Sequence, residues 1–230
     1  MTRTLVIANQ KGGVGKSTSV MNVGVVLAAS GRRVLLVDLD PQASATDFFG
    51  LYEAAANSSS IDLLYRDAPV SSAAHETGTA NLWCVPSTID LIDQNELMLR
   101  EQRLRFALDD ASGDFDIAVI DCSPTLKRLA FNAYVAAAAD GMVVIPVKLD
   151  ATVMRGTAFT VNAIRSISDA LRIPVPGWRI LRTCVPGRMT NAERIGAEVL
   201  DANFPGMQFE TVIHQSAKVG EGSWQWAPVV

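Results

Sequence analysis

The chain is poor in cysteine and histidine, has no long apolar run, and carries no excess of basic charge. Its three cysteines, Cys84, Cys122 and Cys184, form no CxxC pair and cannot all be bridged. That excludes a disulfide scaffold and points to a reducing cytosol. The two histidines, His75 and His214, belong to no metal-binding or triad pattern, and Cys122 without a histidine partner reads as a small buried residue. The longest uncharged stretch is the 15 residues from Ser17 to Gly31, rich in Ser, Gly and Asn. A spanning helix needs about 20 mostly apolar residues, so no membrane segment is expected. Met1-Thr2-Arg3 leads straight into Thr4–Ala8, with no apolar signal region before it. The formal net charge of −4 argues against a uniformly basic nucleic-acid binder. With 49% hydrophobic and 19% charged residues, the 230-residue chain is no disordered polymer either. A soluble, cytoplasmic, globular chain with one domain over residues 1–230 is the expectation.

What the chain does contain is an alternation of strands and helices. Thr4–Ala8 is a short apolar run that ends in a glycine-rich loop, Asn9–Gly15. Val20, Val23, Gly24 and Leu27 then fall on one helical face, with Gly31 as the stop. Arg33–Val37 is a second continuous apolar run, which completes a βαβ unit with a parallel pair. Phe115–Ile120, Met142–Val147, Trp178–Thr183 and Gln208–Ile213 read as further strands. Helices are expected over Leu126–Ala139, from a cap at Asp150 to about Leu171 before Pro174, and from the Thr190…Glu193 capping box to about Asn203. Ala54–Ser60 and Ala68–Ala80 read as polar surface loops. Strands apolar on both faces imply a doubly wound, mostly parallel α/β sheet with helices on both sides. Near the end of the chain, Trp224 and Trp226 read as edge packing or as a partner-facing surface.

The segment Asn9-Gln10-Lys11-Gly12-Gly13-Val14-Gly15-Lys16-Ser17-Thr18 carries the chemistry. Glycines let main-chain N–H groups converge on a phosphate, and the helix starting near Lys16 adds its positive end. Lys16 can reach β- and γ-phosphates, and the Ser17 hydroxyl suits Mg²⁺. The strict P-loop pattern wants glycine six residues before that lysine; Gln10 stands there, and Lys11 is a second lysine inside the loop. Two more segments supply carboxylates. Val37-Asp38-Leu39-Asp40-Pro41-Gln42 puts Asp38 and Asp40 at the end of the second strand, where ligands bind in open α/β sheets. Carboxylates there hold Mg²⁺ through water or orient an attacking water. Ile117-Ala118-Val119-Ile120-Asp121 is an apolar strand ending in an aspartate, a Walker B arrangement.

Taken together, KGGVGKS at Lys11–Ser17, DLDPQ at Asp38–Gln42 and the strand ending in Asp121 resemble the deviant Walker A motif and switch of the ParA/MinD ATPase family. The Asp-Pro-Gln tail resembles most the small ParA, Soj-like branch. The resemblance runs over nearly the full length and implies a P-loop NTPase fold with ATP and Mg²⁺ as cofactors. It implies phosphate binding by Lys11, Gly12, Gly13, Val14, Gly15, Lys16, Ser17 and Thr18. It implies metal binding by Ser17, Asp38 and Asp121, with Lys11, Lys16 and Asp40 as catalytic residues. In that family Lys11 would reach the ATP of the second chain in a homodimer, Asp40 would position the hydrolytic water, and Asp38 would support the switch. Departures are Ser123 for a proline, Arg155 where many relatives have glutamate, and His214-Gln215 for a common Pro-Arg.

Such a protein partitions a plasmid or chromosome: its ATP dimer binds DNA non-specifically and lets go when a ParB-like centromere-binding partner stimulates hydrolysis. It would then be nucleoid-associated when ATP-bound, with no membrane partner. Charge supports a local anion-binding surface, because residues 151–194 carry seven arginines against Asp169 and Glu193. Arg182, Arg188, Arg194 and Lys218 are the nucleic-acid candidates. The alternative is a positioning or regulatory switch that runs the same ATP cycle on a non-DNA surface. A metabolic P-loop enzyme is a third reading, and no second-substrate motif supports it.

Overall fold

A computed structural model describes residues 2–94, 101–125, 127–138, 140–225 and 227–229. In chain order the elements are β1 (Arg3–Ile7), α1 (Lys16–Ala29), β2 (Val34–Leu39), α2 (Ser44–Phe48), α3 (Tyr52–Ala55), α4 (Ser60–Tyr65), α5 (Val70–Ala73), β3 (His75–Glu76), β4 (Leu82–Val85), α6 (Leu91–Gln94), α7 (Arg103–Asp110), β5 (Ile117–Cys122), α8 (Lys127–Ala136), β6 (Met142–Val147), α9 (Val153–Leu171), β7 (Gly177–Val185), α10 (Asn191–Asn203), β8 (Gln208–His214) and α11 (Ala217–Gln225). The strands form one eight-stranded sheet in the order β3-β4-β2-β5-β1-β6-β7-β8. Among the described residues only the short β3 runs antiparallel to its neighbour; the other pairs are parallel, as expected of a doubly wound α/β fold.

Burial on both faces explains the apolar runs. All six residues of β2 are buried. Along the central strands successive side chains alternate between two cores. Val6, Leu35, Val37 and Ile120 join Leu104, Leu129, Val161 and Ile164 from α7, α8 and α9. Ile7, Leu36 and Val119 join Val20 and Ala28 from α1 on the other face. On α1, Val20 and Gly24 are buried and Val23 and Leu27 half-buried. Gly24 marks a close approach, since a Cβ there would meet the Leu36 side-chain tip at 2.8 Å. Gly31 takes the left-handed φ of 85° just past the helix end, as its stop role requires.

Three expectations are corrected. The segments expected as surface loops hold α5 and β3, and Val70 and Ala73 are enclosed in the larger core. β4, unforeseen as a strand, pairs with β2 and buries Cys84. Asp150 is not the cap residue of α9; Thr152 is, and Asp150 instead accepts the Thr152 N–H at 2.9 Å and its hydroxyl at 2.8 Å. Other boundaries agree: Thr190 and Glu193 form a reciprocal capping box on α10, and α9 ends at Leu171 with Arg172 at a φ of 53°. Leu126, Ala139, Trp226 and the Trp224 side chain lie outside the described residues.

The fold places the carboxyl ends of β1, β2, β5 and β6 side by side. β1 lies between β5 and β6, the point where the strand order reverses direction. Register sets Asp121 opposite both Ile7 of β1 and Asp38 of β2. The glycine-rich loop therefore leaves β1 directly beside the two aspartate-bearing strand ends.

A candidate nucleotide site at the carboxyl edge of the sheet

The loop between β1 and α1 is built for an anion. Gly13 and Gly15 adopt left-handed φ values of 71° and 80°, which side-chain-bearing residues rarely accept. A Cβ added at Gly12, Gly13 or Gly15 would meet no protein atom within 4 Å, so the glycines leave a cradle open. No side chain caps the first turn of α1 and no acidic residue sits in it. Those N–H groups and the helix dipole face the cradle without a competing negative group. The open space is a cleft of about 570 Å³, lined by Gly12, Gly13, Gly15, Lys16, Ser17, Thr18 and Asp40, among others. Val14 contributes only main chain: its side chain is fully buried, and its carbonyl accepts the Thr183 hydroxyl at 2.8 Å.

Lys16 is only 7% exposed, and its Nζ donates to the Lys11 carbonyl at 3.1 Å. Burial draws its pKa down, while the nearby Asp121 and Asp40 charges push it back up. Asp121 is fully buried, and neither of its carboxylate oxygens has a well-formed hydrogen bond among the described residues, although the Ser17 hydroxyl lies near enough to act on it. Burial first, then the Asp38 charge, hold its pKa well above the usual carboxylate range; the Ser17 hydroxyl pulls the other way. An orphaned buried carboxylate is expensive, and a hard cation held with Ser17 would satisfy it. The donor set fits Mg²⁺.

Asp38 has a different surrounding. One oxygen accepts the Asp40 N–H at 3.0 Å; the other accepts the Thr46 N–H at 3.0 Å and its hydroxyl at 2.8 Å. Three protein donors engage both oxygens, so the geometry suits support of the loop, and Asp121 is the carboxylate left open to a metal. Burial raises the Asp38 pKa to about 6 against the pull of those donors. Asp40 is 7% exposed, lines the cleft, and has one oxygen fixed by the Gln42 N–H at 3.0 Å.

Lys11 points elsewhere. Its ammonium is paired with Asp150, at the start of the segment leading into α9. Its main-chain N–H donates to Asn9 Oδ1 at 3.0 Å, while Asn9 Nδ2 donates to the Pro146 carbonyl at 2.7 Å. Gly156 lets α9 pass close by, because a Cβ there would lie 3.2 Å from Asn9 Oδ1.

Two features take shape only in the fold. A second recess of about 200 Å³ lies on the other side of Gly15 and Thr18, walled by Thr183, Cys184, Ile213, His214 and Gln215. The other is the fixing of Asp38 by Thr46, a contact eight residues away that no periodic pattern signals. The nucleic-acid candidates separate. Arg188, Arg194 and Lys218 are exposed on segments that follow the carboxyl ends of β7 and β8. Arg182 is half-buried with its Nε enclosed. Arg172 and Arg179 sit at the opposite edge, where β7 begins and Arg179 donates to the Gly206 carbonyl. The arginines of 151–194 thus do not form one surface: Arg188 and Arg194 lie towards one edge of the sheet, Arg172 and Arg179 towards the other.

Comparison with known proteins gives consistent matches. The family described as AAA domain matches residues 2–175. The sporulation initiation inhibitor protein Soj of Bacillus subtilis is 34% identical over 234 residues, covering 100% of this chain and 91% of Soj. The chromosome partitioning protein ParA of Caulobacter vibrioides is 34% identical over 236 residues, covering 99% of this chain and 86% of ParA. The solved structure of cobyrinic acid a,c-diamide synthase from Mycobacterium smegmatis with bound ADP and magnesium is 33% identical, with a TM-score of 0.80 over 98% of this chain and 91% of that one.

Proposed function

The chain belongs to the ParA/Soj family of P-loop ATPases, and from that membership we propose that it is a Mg²⁺-dependent ATPase that dimerises on ATP to partition DNA. The observation that carries the reading is the orphaned, buried Asp121 beside an uncapped glycine cradle. Main-chain N–H groups of Gly12–Thr18 hold the phosphates, with Lys16 neutralising charge at the β- and γ-positions. Ser17 and Asp121 would hold Mg²⁺, which would supply charge to offset that developing on the transferred phosphoryl group. Asp40, fixed at one oxygen and facing the cleft, orients the attacking water. The recess beyond Gly15 has the apolar wall a nucleobase needs. Lys11 leaves Asp150 to meet the phosphates of a second copy, which closes a dimer over two nucleotides. Arg188, Arg194 and Lys218 of both copies then engage the DNA phosphate backbone without reading bases, and pairing two weak patches raises avidity. A ParB-like partner accelerates hydrolysis and release.

The division of the arginines between two edges favours keeping one second reading: the same ATP cycle positions a protein complex on a surface other than DNA. Duplex DNA retention at moderate salt, measured without nucleotide, with ADP and with ATP, separates the two. Wild type should be retained only with ATP, and Asp40→Ala should stay retained because it binds but does not turn over. An ATP-bound dimer that ignores DNA would establish the second reading. Lys16→Ala should lose ATP binding; tight binding by that variant would sink both.

A further inference from the structure

We propose that Thr46 is a positioning residue for hydrolysis, locking the segment that carries Asp40 to the end of β4. The inference rests on the ATPase reading above. Thr46 is fully buried. Its N–H and its hydroxyl both donate to one oxygen of Asp38, and its hydroxyl oxygen accepts the Ser87 N–H at 2.8 Å. The direction of this chain is fixed by chemistry: a main-chain N–H only donates and an ionised carboxylate only accepts, so the single hydroxyl hydrogen must point at Asp38. The other Asp38 oxygen takes the Asp40 N–H. The line Ser87–Thr46–Asp38–Asp40 thus runs from a strand end, through α2, to the main chain of the residue that faces the cleft.

Its consequence is selective. None of the hydrogen bonds of Thr46 reaches the phosphate loop, so its hydroxyl does not hold ATP. It holds one oxygen of Asp38, whose other oxygen fixes the main-chain N–H of Asp40. A displacement of about 1 Å at a positioned reacting group costs on the order of 100-fold in rate. The same hydroxyl ties α2, which supplies Ser44, Asp47 and Phe48 to the wall of the cleft, to β4, a strand that contributes no residue to that wall.

The test measures single-turnover ATP hydrolysis and ATP affinity for wild type, Thr46→Val and Thr46→Ser. Valine keeps the shape and removes the hydroxyl; serine keeps the hydroxyl and removes a methyl. Hydrolysis by Thr46→Val should slow by about 10- to 100-fold with the Kd for ATP essentially unchanged, and Thr46→Ser should restore the wild-type rate. Equal rates for Thr46→Val and wild type, or equal losses in both variants, would overturn the role of Thr46 while leaving the ATPase reading intact. A wild type that binds ATP without hydrolysing it would overturn both. Should Thr46→Val fail to fold by circular dichroism, Thr46→Ser decides: a folded serine variant slowed tenfold overturns the proposal.

Discussion

At the scale of single residues, the site is assembled at the expense of stability. Asp121 is buried with neither oxygen in a well-formed hydrogen bond, and Asp38 is buried beside it. Replacing the charge at Asp121 should therefore stabilise the metal-free protein while removing metal binding. Asp121→Asn is expected to raise Tm without Mg²⁺ at pH 7.5 by about 2–6 °C and to abolish Mg²⁺-dependent hydrolysis; a lower Tm would show that the carboxylate is not an energetic burden. Asp38 has a pH signature. Its folded pKa of about 6 lies above the ordinary carboxylate value of 3.8, so the folded state binds the proton more tightly. Its contribution to stability is complete below about pH 4 and is lost as pH rises through 6. Urea midpoints for wild type and Asp38→Asn between pH 4 and 6.5 should shift steadily in the variant's favour as pH rises. A constant difference would contradict the shift.

At the scale of elements, the strands were legible because burial on both faces demands unbroken apolar sequence, as in Val34–Leu39. The phosphate loop was legible because left-handed turns demand glycine. β4 and α5 were not: four residues each, in polar and small-residue surroundings, carry no periodicity. Asp150 reads as a cap in the sequence because carboxylates cap helices, whereas its second oxygen serves Lys11. That pairing joins the loop to α9 and has to break if Lys11 is to serve another chain. Both side chains are partly exposed, so the pair adds at most about 1 kcal/mol to stability. Asp150→Ala should leave Tm unchanged and raise the dimer fraction at subsaturating ATP, measured by sedimentation velocity; an unchanged fraction would mean the pair does not restrain Lys11. Close packing between elements gives a contrasting case. A Cβ at Gly141 would lie 2.6 Å from the Thr4 carbonyl oxygen and 2.7 Å from the Ala137 Cα. Main chain cannot yield as the Leu36 tip can beside Gly24, so Gly141→Ala should cost about 1–3 kcal/mol in a denaturant melt. Gly24→Ala should cost less.

At the scale of the whole molecule, linear charge density misleads. The run of arginines in 151–194 reads as one basic surface, yet a strand crosses the molecule from edge to edge and carries Arg179 and Arg188 to opposite sides. Charge reversal at Arg188, Arg194 and Lys218 should lower ATP-dependent DNA retention. It should also flatten the salt dependence by about 0.9 log units per lost phosphate contact. Reversal at Arg172 and Arg179 should change neither, and a matching loss there would place the DNA on the other edge.

The order of the strands also governs when the protein becomes able to work. β1 precedes by more than 100 residues the strands that flank it in the sheet, β5 and β6, with Leu5 beside Val119 and Met142. The glycine-rich loop is therefore made before the strands that flank it, and it has no walls to hold its shape until the chain beyond Val147 has emerged. Pairings this distant in sequence close slowly. Nucleotide therefore cannot rescue an incomplete chain: ligand binding rewards only molecules that have already laid down the centre of the sheet.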